Sequence, residues 1–312
     1  MKKIIIIFLV ANLLSVTFLY SGSGSIKSSP ILMMDTTSAE GISVANNSVM
    51  QFGKVNFIQQ NPGIIGTLNS LNANLSYIPW IFDTSYFIGN IGYKFNNIPP
   101  IGCSVAMFNS QDFEYVLNDG TISSDKLSIS EFLLQIGSGL KIIQKSEIGL
   151  YSGIAIKYIS SKIYTFSGNS LAIDAGLSGL YDLGKNKIIY GLSIQNIGLG
   201  AEYIQERSSL PFKIRIGAGY TFHLFSTHHS LFPMAEFVYD ATSKINIGAE
   251  YSFKKMIFGR IGYSISSKQM VSSNIAAGVG VEYNNIKIDY AMKLLKESEK
   301  SLLHSFSIGY SL

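Results

Sequence analysis

From Leu71 to Leu312 the chain repeats a single pattern: a large apolar residue alternates with a small or polar one, a turn intervenes, and the alternation resumes. Phe212, Ile214, Ile216, Ala218, Tyr220 and Phe222 alternate with Lys213, Arg215, Gly217, Gly219 and Thr221. Ile245, Ile247, Ala249, Tyr251 and Phe253 alternate with Lys244, Asn246, Gly248, Glu250 and Ser252. Period two describes a strand with one greasy and one wet face. Many such strands, with no helical pattern to cover the greasy face, predict lipid outside and water inside.

Composition agrees. Only 14% of the 312 residues are charged and mean hydropathy is +0.25, whereas a soluble domain carries about 25% charge. Beyond the first segment no run reaches the roughly 18 apolar residues a membrane helix needs. Gly (29), Tyr (18) and Phe (19) are abundant, which suits close strand packing and aromatic belts at membrane interfaces. The formal charge of +4 falls towards neutrality if Lys2 and Lys3 are removed, which argues against nucleic acid as a partner.

Those two lysines, the apolar run Ile4 to Tyr20 and the small residues Ser21 to Ser25 form the pattern of a secretory signal peptide, taken here as residues 1–22. The single cysteine, Cys103, has no internal disulfide partner, and its alternation with Ile101, Val105 and Met107 marks a wall position. No cysteine near the cleavage point supports lipid attachment. Residues 26–69 are polar and weakly periodic; the barrel is assigned to residues 70–312.

The fold class predicted is all-β: a transmembrane antiparallel outer-membrane barrel of about 14 strands, an even number. Strands are expected to begin near Leu71, Ser85, Pro99, Glu131, Ser146, Ser170, Lys187, Leu210, Ser230, Lys244, Met256, Ser273, Ile286 and Leu303. With the first strand running outward, 109–130, 160–169, 197–209, 266–272 and 294–302 become external loops, while 144–145, 182–186, 254–256 and 284–285 become internal turns. Phe306, Ile308, Tyr310 and Leu312 alternate with serines and glycine in the last strand. They resemble the C-terminal signal read by the outer-membrane insertion machinery.

If the apolar parity faces lipid, then Lys141, Lys157, Asp174, Lys213, Arg215, Glu236, Glu250, Arg260, Glu282, Lys287 and Asp289 face the lumen. A Lys or Arg on the lipid face would cost about 2–4 kcal/mol at mid-depth. Pairing across Asn284–Asn285 sets Glu282 opposite Lys287, and pairing across Lys254–Met256 sets Glu250 opposite Arg260. Both are expected as lumenal ion pairs, each contributing about 0.2–1 kcal/mol.

Catalytic and metal signatures are lacking. The adjacent His228 and His229 would point to opposite faces of a strand, which favours a loop position over a ligand role. No nucleophile elbow, zinc-protease motif or phosphate loop occurs. The chain is therefore expected to be no enzyme and to take no cofactor or metal.

Short motifs carry a family likeness: Asn61-Pro62-Gly63-Ile64, Gln195-Asn196-Ile197-Gly198, Leu210-Pro211, Gly248-Ala249-Glu250-Tyr251, Arg260-Ile261-Gly262-Tyr263 and Ile288-Asp289-Tyr290. Through them the chain resembles the PorV/PorQ family, within the wider fatty-acid-transporter-like barrels. The resemblance implies fourteen strands and an N-terminal hatch folded into the lumen, with Asn61, Pro62 and Gly63 inside it. It implies passive uptake of hydrophobic small molecules across the outer membrane of a bacterial cell. Phe113, Tyr115 and Leu117, in the longest external loop, are the candidate ligand contacts. A barrel serving protein secretion, with secretion-system proteins as partners, is the alternative, and a structural surface antigen a third.

Overall fold

The computed structural model describes residues 38–312 apart from 81–82, 117–120, 204–205, 225–227, 241–242, 267–274 and 295–301. The expected signal peptide lies outside the described residues. Strands β1 (Asn72–Pro79), β2 (Ser85–Tyr93) and β3 (Ile101–Asn109) open the chain's antiparallel wall. After a small hairpin, β4 (Phe113–Val116) and β5 (Ile122–Leu127), come β6 (Ile129–Gln144), β7 (Ile148–Ile163), β8 (Phe166–Asp182) and β9 (Lys187–Leu199). The short β10 (Glu202–Tyr203) and β11 (Glu206–Arg207) precede β12 (Lys213–Leu224), β13 (His229–Tyr239) and β14 (Lys244–Phe253). The wall is completed by β15 (Ile257–Ser266), β16 (Ile275–Tyr283), β17 (Ile286–Leu294) and β18 (Leu302–Ser311).

Fourteen of these strands form one closed antiparallel barrel, sealed where β1 pairs β18, with Leu75 opposite Ile308. Closure leaves no unpaired strand edge, as a lipid environment demands. No helix among the described residues is long and apolar enough to cross a membrane; the crossing is made by strands.

Side-chain parity sorts as the alternation predicts. Leu75, Ile136, Ile154, Ile216, Ile261 and Ile288 are exposed on the outer face, while Lys157, Asp174, Arg215, Glu236, Arg260 and Asp289 are buried inside. The turns explain much of the register. Asn284 and Asn285 both adopt left-handed φ (47° and 68°), which fits a two-residue hairpin. Lys254 and Lys255 do the same in the three-residue turn that sets Phe253 opposite Ile257.

Three expected loops contain strand. Over 160–169, β7 and β8 continue to a two-residue turn at 164–165, with Ile163 opposite Phe166. The polar Ser160, Ser161 and Lys162 look loop-like in sequence, yet a 16-residue and a 17-residue strand exceed the 9–11 residues that span a bilayer. At their outer ends the inward-facing polar side chains are buried and bonded, Ser161 Oγ donating to Glu131 Oε1 at 2.9 Å. The segments 109–130 and 197–209 likewise carry the hairpins β4–β5 and β10–β11. His229 opens β13, and its ring bonds the Tyr251 hydroxyl at 2.7 Å.

Inside the barrel lie residues 38–69. They form a five-residue helix α1 (Ala39–Ser43), capped by Ser38, whose hydroxyl accepts from the Gly41 amide, and two 3-10 turns, Val55–Phe57 and Pro62–Thr67. Nearly every residue of this segment is buried. On the long-loop side an apolar layer from the wall itself, with Ile78, Tyr86, Phe108, Leu133, Ile159 and Leu303, packs above the segment and meets its Ala39 and Ile42.

Candidate functional site: the plugged lumen

An irregular segment cannot satisfy its own backbone polar groups, so a buried one needs partners elsewhere. Here the wall supplies them. Gln135 Nε2 donates to the Ile58 carbonyl (3.4 Å), Lys157 Nζ and Gln195 Nε2 donate to the Gln59 carbonyl (3.3 and 2.7 Å), and Ser193 Oγ donates to the Gln60 carbonyl (2.7 Å). Asn61 works in both directions. Its amide nitrogen donates to the Leu177 carbonyl (3.0 Å) and the Val49 carbonyl (2.9 Å), while its oxygen accepts from the Gly63 amide (2.9 Å). Asn61, Pro62 and Gly63 are all buried in the lumen.

Close approach of two backbones requires that side chains be absent. A Cβ at Gly63 would lie 2.8 Å from the Gly176 carbonyl carbon. On the wall, Gly153 faces the Pro62 carbonyl, Gly176 the Asn61 side chain, Gly191 the Val49 carbonyl and Gly262 the backbone at Val44–Ala45. The strands thus present a glycine where the plug crosses them.

Charge fixes the plug at three places among the described residues. Arg215 Nη1 meets Glu236 Oε1 at 2.7 Å, and Glu236 Oε2 accepts from the Ser48 and Val49 amides at 2.6 and 2.9 Å. Lys157 Nζ meets Asp174 Oδ2 at 2.7 Å, and Asp174 Oδ1 accepts from the Asn196 amide at 2.7 Å. Asn196 has φ 63° beside a register shift, so Gln195 and Asn196 both turn inward.

The third cluster joins plug to wall through carboxylates. Glu40, 3% exposed, takes Lys54 Nζ (2.6 Å), Lys287 Nζ (3.1 Å), Asn56 Nδ2 (3.2 Å) and Arg260 Nη2 (3.4 Å). Arg260 also holds Glu250 through Nε (2.6 Å) and Asp289 through Nη1 (2.7 Å). Three acids and three bases balance.

The register places Glu250 opposite Arg260 and Glu282 opposite Lys287. The expected Glu282–Lys287 ion pair is corrected: Lys287 reaches inward to Glu40. Glu282 sits half-buried beside the turn, where water solvates it, whereas the buried Glu40 carboxylate needs cations. Sequence reasoning missed Glu40 and Lys54, although Glu40 is acidic in a segment otherwise poor in charge. Phe113 and Tyr115 lie on β4, whose partner is β5 rather than the barrel; Phe113 is half-buried, and Leu117 lies outside the described residues. Phe306, Ile308, Tyr310 and Leu312 are exposed on the outer face. Among the described residues no group of three or more His, Cys, Asp or Glu could hold a metal ion.

Burial alone would raise the Glu40 carboxyl, but Lys287, Lys54 and Arg260 outweigh it and hold the group well below the ordinary 4.5. A lowered value stabilises the seated plug above the ordinary value, and that stabilisation drains as pH falls through the lowered one. Burial opposes the Lys54 charge, yet Glu250 and Glu40 raise it above 10.5; its contribution is complete below that value and fades as pH rises through the raised one. Conductance across planar bilayers should therefore stay flat from pH 5 to 9 and climb only under stronger acid or base. A step near neutral pH would contradict this latch.

A family model for the type IX secretion system membrane protein PorP/SprF matches residues 55–310. The chain belongs to the PorP/SprF family. The match includes residues 55–69 of the plug and, as far as Tyr310, all fourteen barrel strands. The match does not confirm the narrower resemblance to PorV/PorQ proteins. No curated protein matches the sequence. Among solved structures, the toluene transporter TodX of P. putida covers 89% of this PorP/SprF chain and 99% of its own, at TM-score 0.59 and 9% identity. The Ralstonia pickettii toluene transporter TbuX covers 90% and 99% at TM-score 0.57 and 10% identity. A Pseudomonas aeruginosa FadL homologue covers 92% and 99% at TM-score 0.51 and 9% identity. At such identities the likeness is one of fold: this PorP/SprF chain is an outer-membrane β-barrel built like those channels.

Proposed function

We propose that this barrel serves type IX secretion as a closed, plug-bearing outer-membrane component that holds secretion-system proteins, rather than as an open conduit. The observation that carries the reading is the filled lumen. Wall side chains donate to successive plug carbonyls, Ile58 to Gln60, while the apolar layer around Tyr86, Phe108 and Leu133 packs above. A pore for freely passing solutes gains nothing from so many bonds across its axis. In this reading Asn61, Pro62 and Gly63 seat the plug. The apolar terminus Phe306, Ile308, Tyr310 and Leu312 addresses the chain to the insertion machinery.

Uptake of hydrophobic molecules is the second reading. It is supported by the same apolar layer and by the toluene-transporter fold, with Phe113, Tyr115 and Leu117 as first contacts. One experiment separates the two. Deleting the gene should stop surface delivery of type IX cargo while leaving uptake of labelled fatty acid and toluene at the parental rate. Lost uptake with normal export would overturn the secretion reading in favour of transport.

A further inference from the structure

Almost all of residues 38–69 are covered, and Phe52, Gly53 and Lys54 are the one run of three consecutive residues there that stays half-buried. Gly53 has φ 74°, and nothing lies within 4 Å of where its Cβ would stand, so this turn of the plug looks into open space. It is tethered from behind. The Gly53 amide donates to Thr67 Oγ1 (2.8 Å), and Asn72 Nδ2 donates to the Gly53 carbonyl (3.3 Å). Asn72 opens β1 at the short-turn end of the barrel, the end that faces the periplasm. Lys54 is also the most exposed member of the Glu40 cluster: its side chain keeps 28% exposure, that of Glu40 4%.

Cations flank the turn on both sides. Phe52 packs edge-on to Tyr151 at 5.2 Å, and Lys141 Nζ lies 6.0 Å from the centre of the same ring. Lys141 is opposite Tyr151 in the β6–β7 pairing and is exposed; its parity is lumenal, so it stands in the mouth of the barrel rather than against lipid. On the other side Lys54 Nζ is 3.7 Å from Glu250 Oε2. From Glu250, β14 runs about 13 Å to the exposed Lys254 and Lys255. The turns 145–147, 183–186 and 254–256 expose Lys145, Lys185, Lys254 and Lys255 against one carboxylate, Glu147. Asp182 is held by Lys187 at 3.6 Å, and Glu282 is half-buried.

We infer that this periplasmic mouth docks an acidic segment of a periplasmic protein, whose carboxylates bridge Lys54 on the plug to Lys141 and to the Lys254–Lys255 turn on the wall. The inference rests on the reading of the barrel as a holder of secretion-system proteins and names the chemistry by which one is held. An extended segment of about six residues spans about 20 Å, enough to run from the plug turn to the rim. Complementary charge steers such a segment in and fixes its placement. An anionic lipid headgroup meets the turn lysines only from the bilayer side, whereas Lys54 and Lys141 lie within the ring of strands.

The test titrates the full mature protein, in phosphatidylcholine nanodiscs, with fluorescein-labelled hexaglutamate read by anisotropy; labelled hexaserine is the neutral probe. Saturable binding is expected with hexaglutamate alone, weakening as salt rises. Lys141→Gln and the double variant Lys254→Gln/Lys255→Gln should each raise the dissociation constant at least threefold. Both sites are exposed and lie outside the Glu40 cluster, so folding and the seated plug should be retained. Lys162→Gln, exposed at the long-loop end of β7, should leave the constant unchanged. A benzophenone at the end of the peptide should crosslink to residues 52–54. Weakening in the double variant with parental affinity in Lys141→Gln would place the peptide on the lipid-side rim and overturn the inference, as would equal binding of hexaserine or crosslinks confined to the external loops. None of these readouts depends on cargo export or on uptake of fatty acid and toluene, so their failure is distinct from failure of the secretion reading.

Discussion

Glu40→Ala should unseat the plug while the barrel stays closed. Glu40 is buried and receives Lys54, Lys287, Arg260 and Asn56. Without it, Lys54, Arg260 and Lys287 face only Glu250 and Asp289, and the cluster carries one uncompensated buried positive charge. Removing one partner from a buried ion pair costs about 3–5 kcal/mol, a large part of the roughly 5–15 kcal/mol that stabilises a whole domain. The barrel loses no strand hydrogen bond, because Glu40 lies on α1 and bonds the wall only through side chains. Bilayer recordings should therefore show raised conductance. Added protease should cut within 38–69, and heat-modifiable mobility on gels should match the parent. Glu40→Gln, which keeps the shape and loses the charge, should fall between the two. Lys287→Ala should do least, because Lys54 and Arg260 remain and Lys287 is partly exposed. Parental conductance and protease protection in Glu40→Ala would show that the cluster does not hold the plug.

The wall was legible from sequence because its rules are local. Period two, a two-residue turn at Asn284–Asn285 and a three-residue turn at Lys254–Met256 set strand, face and register together, and so Glu250 falls opposite Arg260. The plug obeys no such rule. Its path is irregular, and its partners are distant: Glu40 and Lys287 lie 247 positions apart. Nothing periodic in 38–69 points to Arg260 or Glu236. The β7–β8 extension was hidden for another reason. There the inward-facing Ser161 and Ser170 are buried yet polar, so the apolar–polar alternation that announces a membrane strand disappears.

One signal was present and easily passed over. Gly217 shares the parity of Lys213 and Arg215, Gly248 that of Glu250, and Gly262 that of Arg260. A lumen lined only for water would carry polar side chains at those heights. Glycine there leaves room for a second segment, as it does for the Met50 and Val49 side chains at Gly217 and for the backbone at Val44 and Ala45 at Gly248 and Gly262. Charges and glycines on one face of successive strands therefore announced that the lumen contains chain.

That reading makes shape, as well as charge, a requirement for the seated plug, and Gly153→Val tests it. A Cβ on Gly153 would collide with the Pro62 carbonyl oxygen and lie 2.9 Å from the Gly63 amide nitrogen. Both are backbone atoms, held in place by the Asn61 bonds to Leu177 and Val49, so no rotamer change relieves the clash. Overpacking a fitted site costs about 1–3 kcal/mol, and an obstructing backbone should place this variant at the upper end, about 3 kcal/mol. The plug, whose hold on the wall is side-chain bonds and packing, should yield before a wall held by strand ladders. Conductance should rise and residues 38–69 should become protease-sensitive, whereas Gly259→Val, with open space around its Cβ, should behave as the parent. If Gly153→Val and Glu40→Ala release the same element, the double variant should conduct no more than the stronger single one, because a plug already displaced has no further contact to lose. Fully additive increases would mean that the two ends of the segment detach separately and that the plug is not one body.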